Sequence, residues 1–203
     1  MHQQSWYGAA PGYLGMWMAM MVPMMLPPLI PMLSRYRRSV RGADGIHLHG
    51  LTALVGLGYF AVWAVLGAAT YAAGAGLMVL ETRWLAVTRW LPVASAVTLL
   101  VAGGVQLTSW KARQLALCRK ACGDPTASSA TGAWRHGLGL GMRCSLCCGG
   151  LMLALFAIGM DLVAMAAVTL AISAERLAPA PLRVARLAGV TVVVVGVMTI
   201  VRA

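Results

Sequence analysis

The chain has 203 residues, of which 60% are hydrophobic and only 10% are charged, whereas soluble proteins average roughly 25% charged residues. Uncharged stretches of about 20 residues could not be buried in a soluble fold of this size, so the composition excludes a soluble enzyme, a disordered tail and a secreted disulfide-rich domain. The formal net charge of the chain is +11. We attribute it to Lys and Arg in loops that face an anionic membrane surface, and not to nucleic-acid binding.

The predicted fold class is all-α, a polytopic transmembrane helix bundle with about five spans in a single domain, residues 1–203. A helix rises about 1.5 Å per residue and must cross roughly 30 Å of hydrocarbon. In chain order, the predicted spans are residues 13–33, 51–73, 90–110, 149–172 and 183–201. Residues 111–143 mix basic residues with Gly, Ser and Thr, and are predicted to form a cytoplasmic loop that contains cysteines.

Lys and Arg are concentrated in alternate connections between the spans, above all in residues 35–41 and 111–143. The positive-inside rule therefore predicts that these connections are cytoplasmic, with the N-terminus outside and the C-terminus inside. The first residues lack the basic segment and cleavage site of a signal peptide, so the first span is expected to remain in the mature protein. The expected location is a bacterial inner (plasma) membrane.

The first predicted span is rich in methionine and proline. Half of the 14 methionines lie in it, and thioethers are soft ligands that suit Cu(I). Met21 and Met25, one turn apart, share a face of the helix. Methionine also fills gaps between apolar helices, so packing remains an alternative. The prolines are expected to kink or break the span and to free backbone carbonyls; they are Pro23, Pro27, Pro28 and Pro31.

All five cysteines lie between residues 118 and 148, on the predicted cytoplasmic side. Cys147 and Cys148 follow Cys144 by three and four positions, so a helix would place the three thiols on one face of a single turn. Three convergent sulfurs suit Cu(I), with Zn²⁺ as the alternative. Packing alone would explain isolated cysteines but accounts less well for this cluster.

Two further groups accompany the cysteine cluster. Cys118 and Cys122, four residues apart, either close the same site or serve a different one. His136 precedes Cys144 by eight residues on the same predicted side, and its imidazole is a candidate nitrogen ligand.

Polar residues interrupt the later apolar stretches. Asp161 falls in the middle of the fourth predicted span, where a carboxylate should face the bundle and have a partner or be protonated. Glu175 and Arg176 are expected to form an interfacial ion pair near the outer surface. Gln106 is expected to hydrogen-bond to another helix.

Distinctive blocks follow one another along the chain: MWMAMMVPMM at 16–25, YFAVW at 59–63, QLT at 106–108 followed by Trp110 and Lys111, CSLCC at 144–148, GMD at 159–161 and ERL at 175–177. Together they resemble the predicted metal-binding integral membrane proteins of unknown function. The resemblance implies a small polytopic protein that binds a transition metal, often proposed as copper. This chain has Gln114 where the family has a cysteine and Ala121 where it has a proline, which leaves Cys118 as the matched thiol.

The sequence therefore predicts an integral membrane metal-binding protein, not an enzyme, that handles or delivers Cu(I). The candidate ligands are Cys144, Cys147, Cys148, Met21, Met25, His136 and Cys118. The expected partners are the lipid bilayer and either a soluble metal carrier or a membrane enzyme. Two alternatives stay open: a membrane thiol-disulfide redox protein, which a reactive C-x-x-C pair would favour, and a non-catalytic assembly subunit of a membrane complex.

Overall fold

The computed structural model describes residues 6–40, 45–83, 85–120 and 129–202. Within these ranges the chain forms seven helices and no strand, which confirms the predicted all-α class. The helices are α1 (Trp6–Ser39), α2 (Gly45–Arg83), α3 (Leu85–Leu107), α4 (Ser109–Lys120), α5 (Ala130–Ile158), α6 (Leu162–Leu177) and α7 (Pro181–Arg202).

Five stretches in the described residues are long and apolar enough to cross a membrane, as many as the sequence predicted. They are Gly8–Ser39, Ile46–Leu80, Trp90–Leu107, Ala130–Ile158 and Pro181–Val201. The first three and the last overlap the predicted spans. The fourth begins at Ala130, earlier than the predicted 149–172, and shares residues 149–158 with it.

The fourth span ends early because α5 stops at Gly159. This glycine has φ 111°, a conformation that residues with a side chain rarely adopt. Asp161 then begins α6 as its N-cap, and its carboxylate accepts a hydrogen bond of 2.6 Å from the Ala164 N–H. Asp161 is therefore an exposed cap between two helices, and the prediction of a carboxylate buried in mid-span was wrong.

The predicted loop 111–143 is helical over most of its described length. α4 occupies its first part, and α5 begins at Ala130, where the Ser129 side chain accepts a hydrogen bond from the Gly132 N–H. Because α5 starts so early, Cys144 lies at the middle of this 29-residue helix. The sequence predicts Cys144 just before the fourth span, 149–172, whereas the structure places it inside the apolar stretch Ala130–Ile158.

Glycines allow α5 to approach α2 closely. A Cβ atom at Gly137 would overlap the Val55 carbonyl, and one at Gly141 would lie 2.8 Å from the Tyr59 carbonyl. Both helices therefore meet backbone to backbone over this stretch. The same contact carries Tyr59 to the level of Cys144.

α6 runs back along α5. Near the end of α6, the Glu175 carboxylate meets Lys111, whose ammonium group also bonds the Cys147 carbonyl in the middle of α5. α6 has 16 residues, fewer than the about 20 expected of a span. Most of α6 falls within the predicted fourth span, 149–172, so the sequence analysis did not separate α6 from α5.

The return of α6 determines where the chain ends. α7 packs antiparallel to α3, with Gly189 against Gly103 and Gly196 against Leu99, so it runs toward the start of α3. α3 starts where α2 ends, and Tyr13 near the start of α1 contacts Tyr71 near the end of α2. α7 thus ends at the end of the bundle where α1 begins, whereas the sequence predicted the two termini on opposite sides.

The core of the bundle lies between α1, α2 and α5. The Trp17 indole donates a hydrogen bond of 2.9 Å to the Trp63 carbonyl of α2 and stacks on Phe156 of α5. α1 remains one continuous helix despite its internal prolines, so of the expected kink or break, the break does not occur. Its buried face brings Met21 and Met25 against α5.

Candidate metal centre

Four cysteines of the described chain are buried and not in disulfide bonds: Cys118, Cys144, Cys147 and Cys148. Cys122 lies outside the described residues. A step of one residue turns a helix by about 100°, so the neighbours Cys147 and Cys148 face different helices. The four thiols consequently form two pairs, Cys144 with Cys148 and Cys147 with Cys118.

We call the first set the inner site: Cys144, Cys148 and Met25. The Cys144 Sγ lies 3.5 Å from the Cys148 Sγ and 3.9 Å from the Met25 Sδ. Three sulfurs bound in a plane around one metal at about 2.3 Å would be about 4.0 Å apart. The two distances from the Cys144 Sγ are close to this spacing, and all three side chains are at most 1% exposed.

Hydrogen bonds orient the two inner thiols. One joins the Tyr59 hydroxyl and the Cys144 Sγ at 2.9 Å, and Tyr59 is fully buried. The Cys148 thiol donates to the Cys144 carbonyl at 2.7 Å, one turn back on the same helix. α2 and α5 together therefore fix the direction of both sulfurs.

We call Cys118 and Cys147 the outer pair. They belong to a small buried cluster with Leu115 and Ala185, separate from the main core. The Cys118 thiol donates to the Arg143 carbonyl at 3.0 Å. Its hydrogen bonding to Cys147, together with burial, raises the pKa of the Cys118 thiol.

A pocket of about 40 Å³ opens beside the outer pair. Its lining includes Met32, Cys118 and Arg176, with the exposed Arg35 and Arg119 at its rim. The Arg176 guanidinium lies between the first two, with Nη1 3.9 Å from the Met32 Sδ and Nη2 3.7 Å from the Cys118 Sγ. A thiol and a thioether thus lie in the lining of the pocket, with the guanidinium between them.

A buried ion pair lies beside the outer pair and contacts it through the Cys147 carbonyl. The Lys111 Nζ lies 2.7 Å from the Glu175 Oε2 and 2.6 Å from the Cys147 carbonyl, with both charged side chains 2% exposed. The Gln106 amide donates to the other Glu175 oxygen at 2.9 Å. The predicted bond of Gln106 to another helix is confirmed, but the predicted ion pair of Glu175 with Arg176 was wrong because Lys111 and Gln106 occupy both carboxylate oxygens.

A family model described as PpoB2, copper chaperone, matches residues 14–199. The chain belongs to the PpoB2 copper chaperone family. The match includes both thiol pairs and every helix that carries them, and it confirms the prediction of a metal-binding family. No curated protein and no solved structure matches the chain.

Membership of the PpoB2 family does not by itself assign ligands. Among the described residues, no group of three or more His, Cys, Asp or Glu side chains is placed to hold a metal ion. The three thiols of residues 144–148 therefore do not meet at one ion, although all three are buried. A three-coordinate site in the described chain therefore needs a donor of another type, such as a methionine sulfur.

The remaining candidate ligands lie farther away. His136 stacks on Tyr36 with ring centroids 5.5 Å apart, and eight residues of helix separate it from Cys144 by about 12 Å. Met21 is buried in the same core as the inner site, one turn along α1 from Met25. Their roles as ligands stay predictions.

Sequence reasoning missed four residues that surround the thiols: Tyr59, Lys111, Met32 and Arg176. Lys111 and Arg176 each stand beside long apolar stretches, and this placement was the available signal, since such charges are expensive to bury without partners. Their actual partners lie on other helices, and the spacing within one helix does not reveal them.

Proposed function

We propose that this chain is a membrane-embedded copper chaperone that holds Cu(I) on the inner site, Cys144, Cys148 and Met25. The observation that carries the proposal is the spacing of three fully buried sulfurs, 3.5 Å and 3.9 Å from one to the next. Two thiolates and a thioether are a soft donor set, which suits Cu(I), whereas structural Zn²⁺ sites use four thiolate or imidazole ligands. Membership of the PpoB2 copper chaperone family supports copper as the cargo.

We further propose that copper reaches the inner site through the outer pair. The pocket offers Met32 and Cys118, and Cys118 adjoins Cys147, which shares one turn of α5 with Cys144. Soft ligands therefore follow one another from the pocket to the inner site. Exchange from one sulfur to the next would move the ion without releasing it into water.

The proposed location is a bacterial inner membrane, supported by five helices that are long and apolar enough to cross it. Arg35 and Arg119 line the pocket, and the positive-inside rule then favours a pocket that opens to the cytoplasm. Both ends of the chain would face the other side. The proposed partners are a soluble copper carrier and a membrane enzyme that receives the ion, and no reaction is assigned to the chain itself.

Copper retention tests this proposal. The parent and the double variant Cys144→Ser/Cys148→Ser are produced in copper-supplemented cells and purified in detergent without oxygen, and copper per chain is measured by mass spectrometry. We expect the double variant to lose bound copper. Cys118→Ser/Cys147→Ser is the matched control: incubated with Cu(I) to equilibrium after purification, it should hold about as much copper as the parent treated in the same way, because the inner site is intact.

Retention of parental copper by Cys144→Ser/Cys148→Ser would overturn the assignment. Thiol labelling over a series of redox potentials distinguishes a copper chaperone from the alternative, a thiol-disulfide redox protein. A chaperone should show no reversible two-electron step between these thiols, whereas a redox protein requires one.

A further inference from the structure

The pocket beside the outer pair is lined by three arginines and, as far as the described residues show, by no acid. Arg176 is the buried one, with 8% of the residue exposed and no hydrogen-bond partner for its Nε within the described chain. Its terminal nitrogens contact sulfurs, the Cys118 Sγ at 3.7 Å and the Met32 Sδ at 3.9 Å. The adjacent carboxylate, Glu175, is already paired with Lys111. Since a buried charge is unfavourable unless another charge balances it, this pocket is suited to an anion.

The two rim arginines are held in place by backbone carbonyls. The Arg35 Nη1 donates to the Arg119 carbonyl at 3.3 Å, and the Arg119 Nη1 donates to the Ala178 carbonyl at 3.1 Å. These bonds join α1, α4 and the residue that follows α6 around the opening. A guanidinium group has five N–H donors, so each rim arginine can also donate to a bound anion.

The charges and the sulfurs of this pocket favour different ligands when each set is considered alone. A thiol and a thioether bind soft cations, but three guanidinium groups repel a free cation. The guanidinium groups attract carboxylates and phosphates, but such anions need no sulfur ligand. A soft cation that arrives inside an anionic complex fits both sets of groups.

We propose that the pocket receives copper as an anionic complex of Cu(I) with two small thiolates that carry carboxylate groups. Cu(I) between two thiolates has one negative charge, and a carboxylate on each thiol brings the total to three, which the three arginines of the lining balance. The pocket volume of about 40 Å³ has room for the metal-bearing end alone, so the carboxylates stay at the rim. This inference rests on the proposed function, because it takes the outer pair as the entry route.

Transfer in the pocket is an exchange of one thiolate for another. The Cys118 thiol gives up its proton and its sulfur binds copper, while one carrier thiolate leaves copper, takes up a proton and departs as a thiol. Copper stays Cu(I) with two thiolate ligands, and the charge of the metal and its ligand sulfurs is unchanged. The Arg176 Nη2, 3.7 Å from the Cys118 Sγ, stabilises the thiolate that this exchange requires.

The test measures how fast the purified full chain takes up copper, without oxygen, from preformed Cu(I) complexes of three thiols. Mercaptoacetate is anionic, 2-mercaptoethanol is neutral and cysteamine is cationic. Timed samples are desalted, and copper per chain is measured by mass spectrometry. Raising the salt from about 0.01 M to 1 M shortens the Debye length from about 30 Å to 3 Å. It should slow uptake from the mercaptoacetate complex and speed uptake from the cysteamine complex.

The three thiols also differ in how tightly they hold Cu(I), so the deciding quantity is the ratio of uptake rates from the mercaptoacetate and cysteamine complexes, compared between variants. Arg35→Gln/Arg119→Gln changes two exposed residues and should lower this ratio on the order of 10-fold, as expected for loss of electrostatic steering. Arg37→Gln/Arg113→Gln is the matched control. It removes the same charge from exposed positions of the same two helices outside the pocket lining, and should keep the parental ratio.

A third variant tests the exchange step. Cys118→Ser should slow uptake from all three complexes, while the copper content at equilibrium stays parental because the inner site is intact. Uptake by Cys118→Ser at the parental rate would remove the entry route, and the inference with it.

Failure of the inference and failure of the proposed function give different results. A parent that takes up no copper on Cys144 and Cys148 from any of the complexes would remove the proposed function itself. A parent that loads these thiols while Arg35→Gln/Arg119→Gln keeps the parental rate ratio would overturn only the role of the pocket. An equal fall of the ratio in the control pair would overturn it too, because general surface charge would then explain the preference.

Discussion

The inner site and the outer pair use thiols from the same turn of α5 but lie in different surroundings. The inner site is enclosed by α1 and α2, whose buried methionines and aromatic rings pack around it. The outer pair faces α4 and α6, beside a buried ion pair and an open pocket. Adjacent residues of one helix thus face an enclosed group of sulfurs and a second buried pair that lies beside a pocket, according to which neighbouring helix each residue faces.

The two groups of thiols lie in parts of the bundle that differ in polarity. Long apolar helices enclose the inner site, and the two shortest described helices bring the charged residues to the outer pair. Changes to the ion pair should therefore affect the outer pair first. Changes to the contact between α2 and α5 should affect the inner site first.

The largest effect on folding is expected from Glu175→Gln. This change leaves the Lys111 ammonium buried without its counter-charge, and breaking such a pair costs about 3–5 kcal/mol. The free energy of unfolding in detergent, from denaturant titration, measures the loss. Adding Lys111→Met to Glu175→Gln removes the stranded charge and should recover most of the stability; a double variant as unstable as the single one would contradict this account.

A smaller effect is expected from Gly137→Ala, which acts on the side of the inner site. The added methyl group would overlap the Val55 carbonyl of α2, and overpacking of this kind costs about 1–3 kcal/mol. Copper affinity should fall as well, because the same contact positions Tyr59. Gly139→Ala is the control: its Cβ meets nothing within 4 Å, so unfolding free energy should stay or rise. Equal behaviour of the two variants would refute the close contact.

The smallest effect is expected from Tyr59→Phe. It removes one hydrogen bond to Cys144, and a bond of this type contributes about 1 kcal/mol, or roughly fivefold in Cu(I) affinity. Tyr13→Phe, which removes a comparable bond to Thr70 at the far end of the bundle, should leave Cu(I) affinity unchanged. If both variants bind copper like the parent, Tyr59 does not orient the inner thiol.

The sequence was sufficient for the helical class and the number of apolar spans, because long uncharged stretches determine both. It failed at Gly159, where a single backbone conformation ends α5 and turns Asp161 from a mid-span charge into a helix cap. It also did not separate the 16-residue α6 from α5, because the predicted fourth span, 149–172, covers parts of both helices.

The candidate site was predictable in composition and not in arrangement. Clustered cysteines and methionines indicated a soft-metal centre, and Met25 does lie beside Cys144. Helical spacing predicts which thiols share a face of α5. It does not predict that Cys147 contacts Cys118 of α4 while Cys148 contacts Cys144. Arg176 was assigned to an interfacial ion pair because its neighbour in sequence was an acid, whereas its neighbours in space are sulfurs.

The short return helix α6 has a practical consequence for experiments in cells. Since α1 begins and α7 ends at the same end of the bundle, a fluorescent or enzymatic reporter fused to either terminus should sense the same compartment. A reporter inserted between α1 and α2 should sense the other one. Without α6 the two termini would report opposite compartments, so a matched pair of fusions reads out whether this one helix crosses.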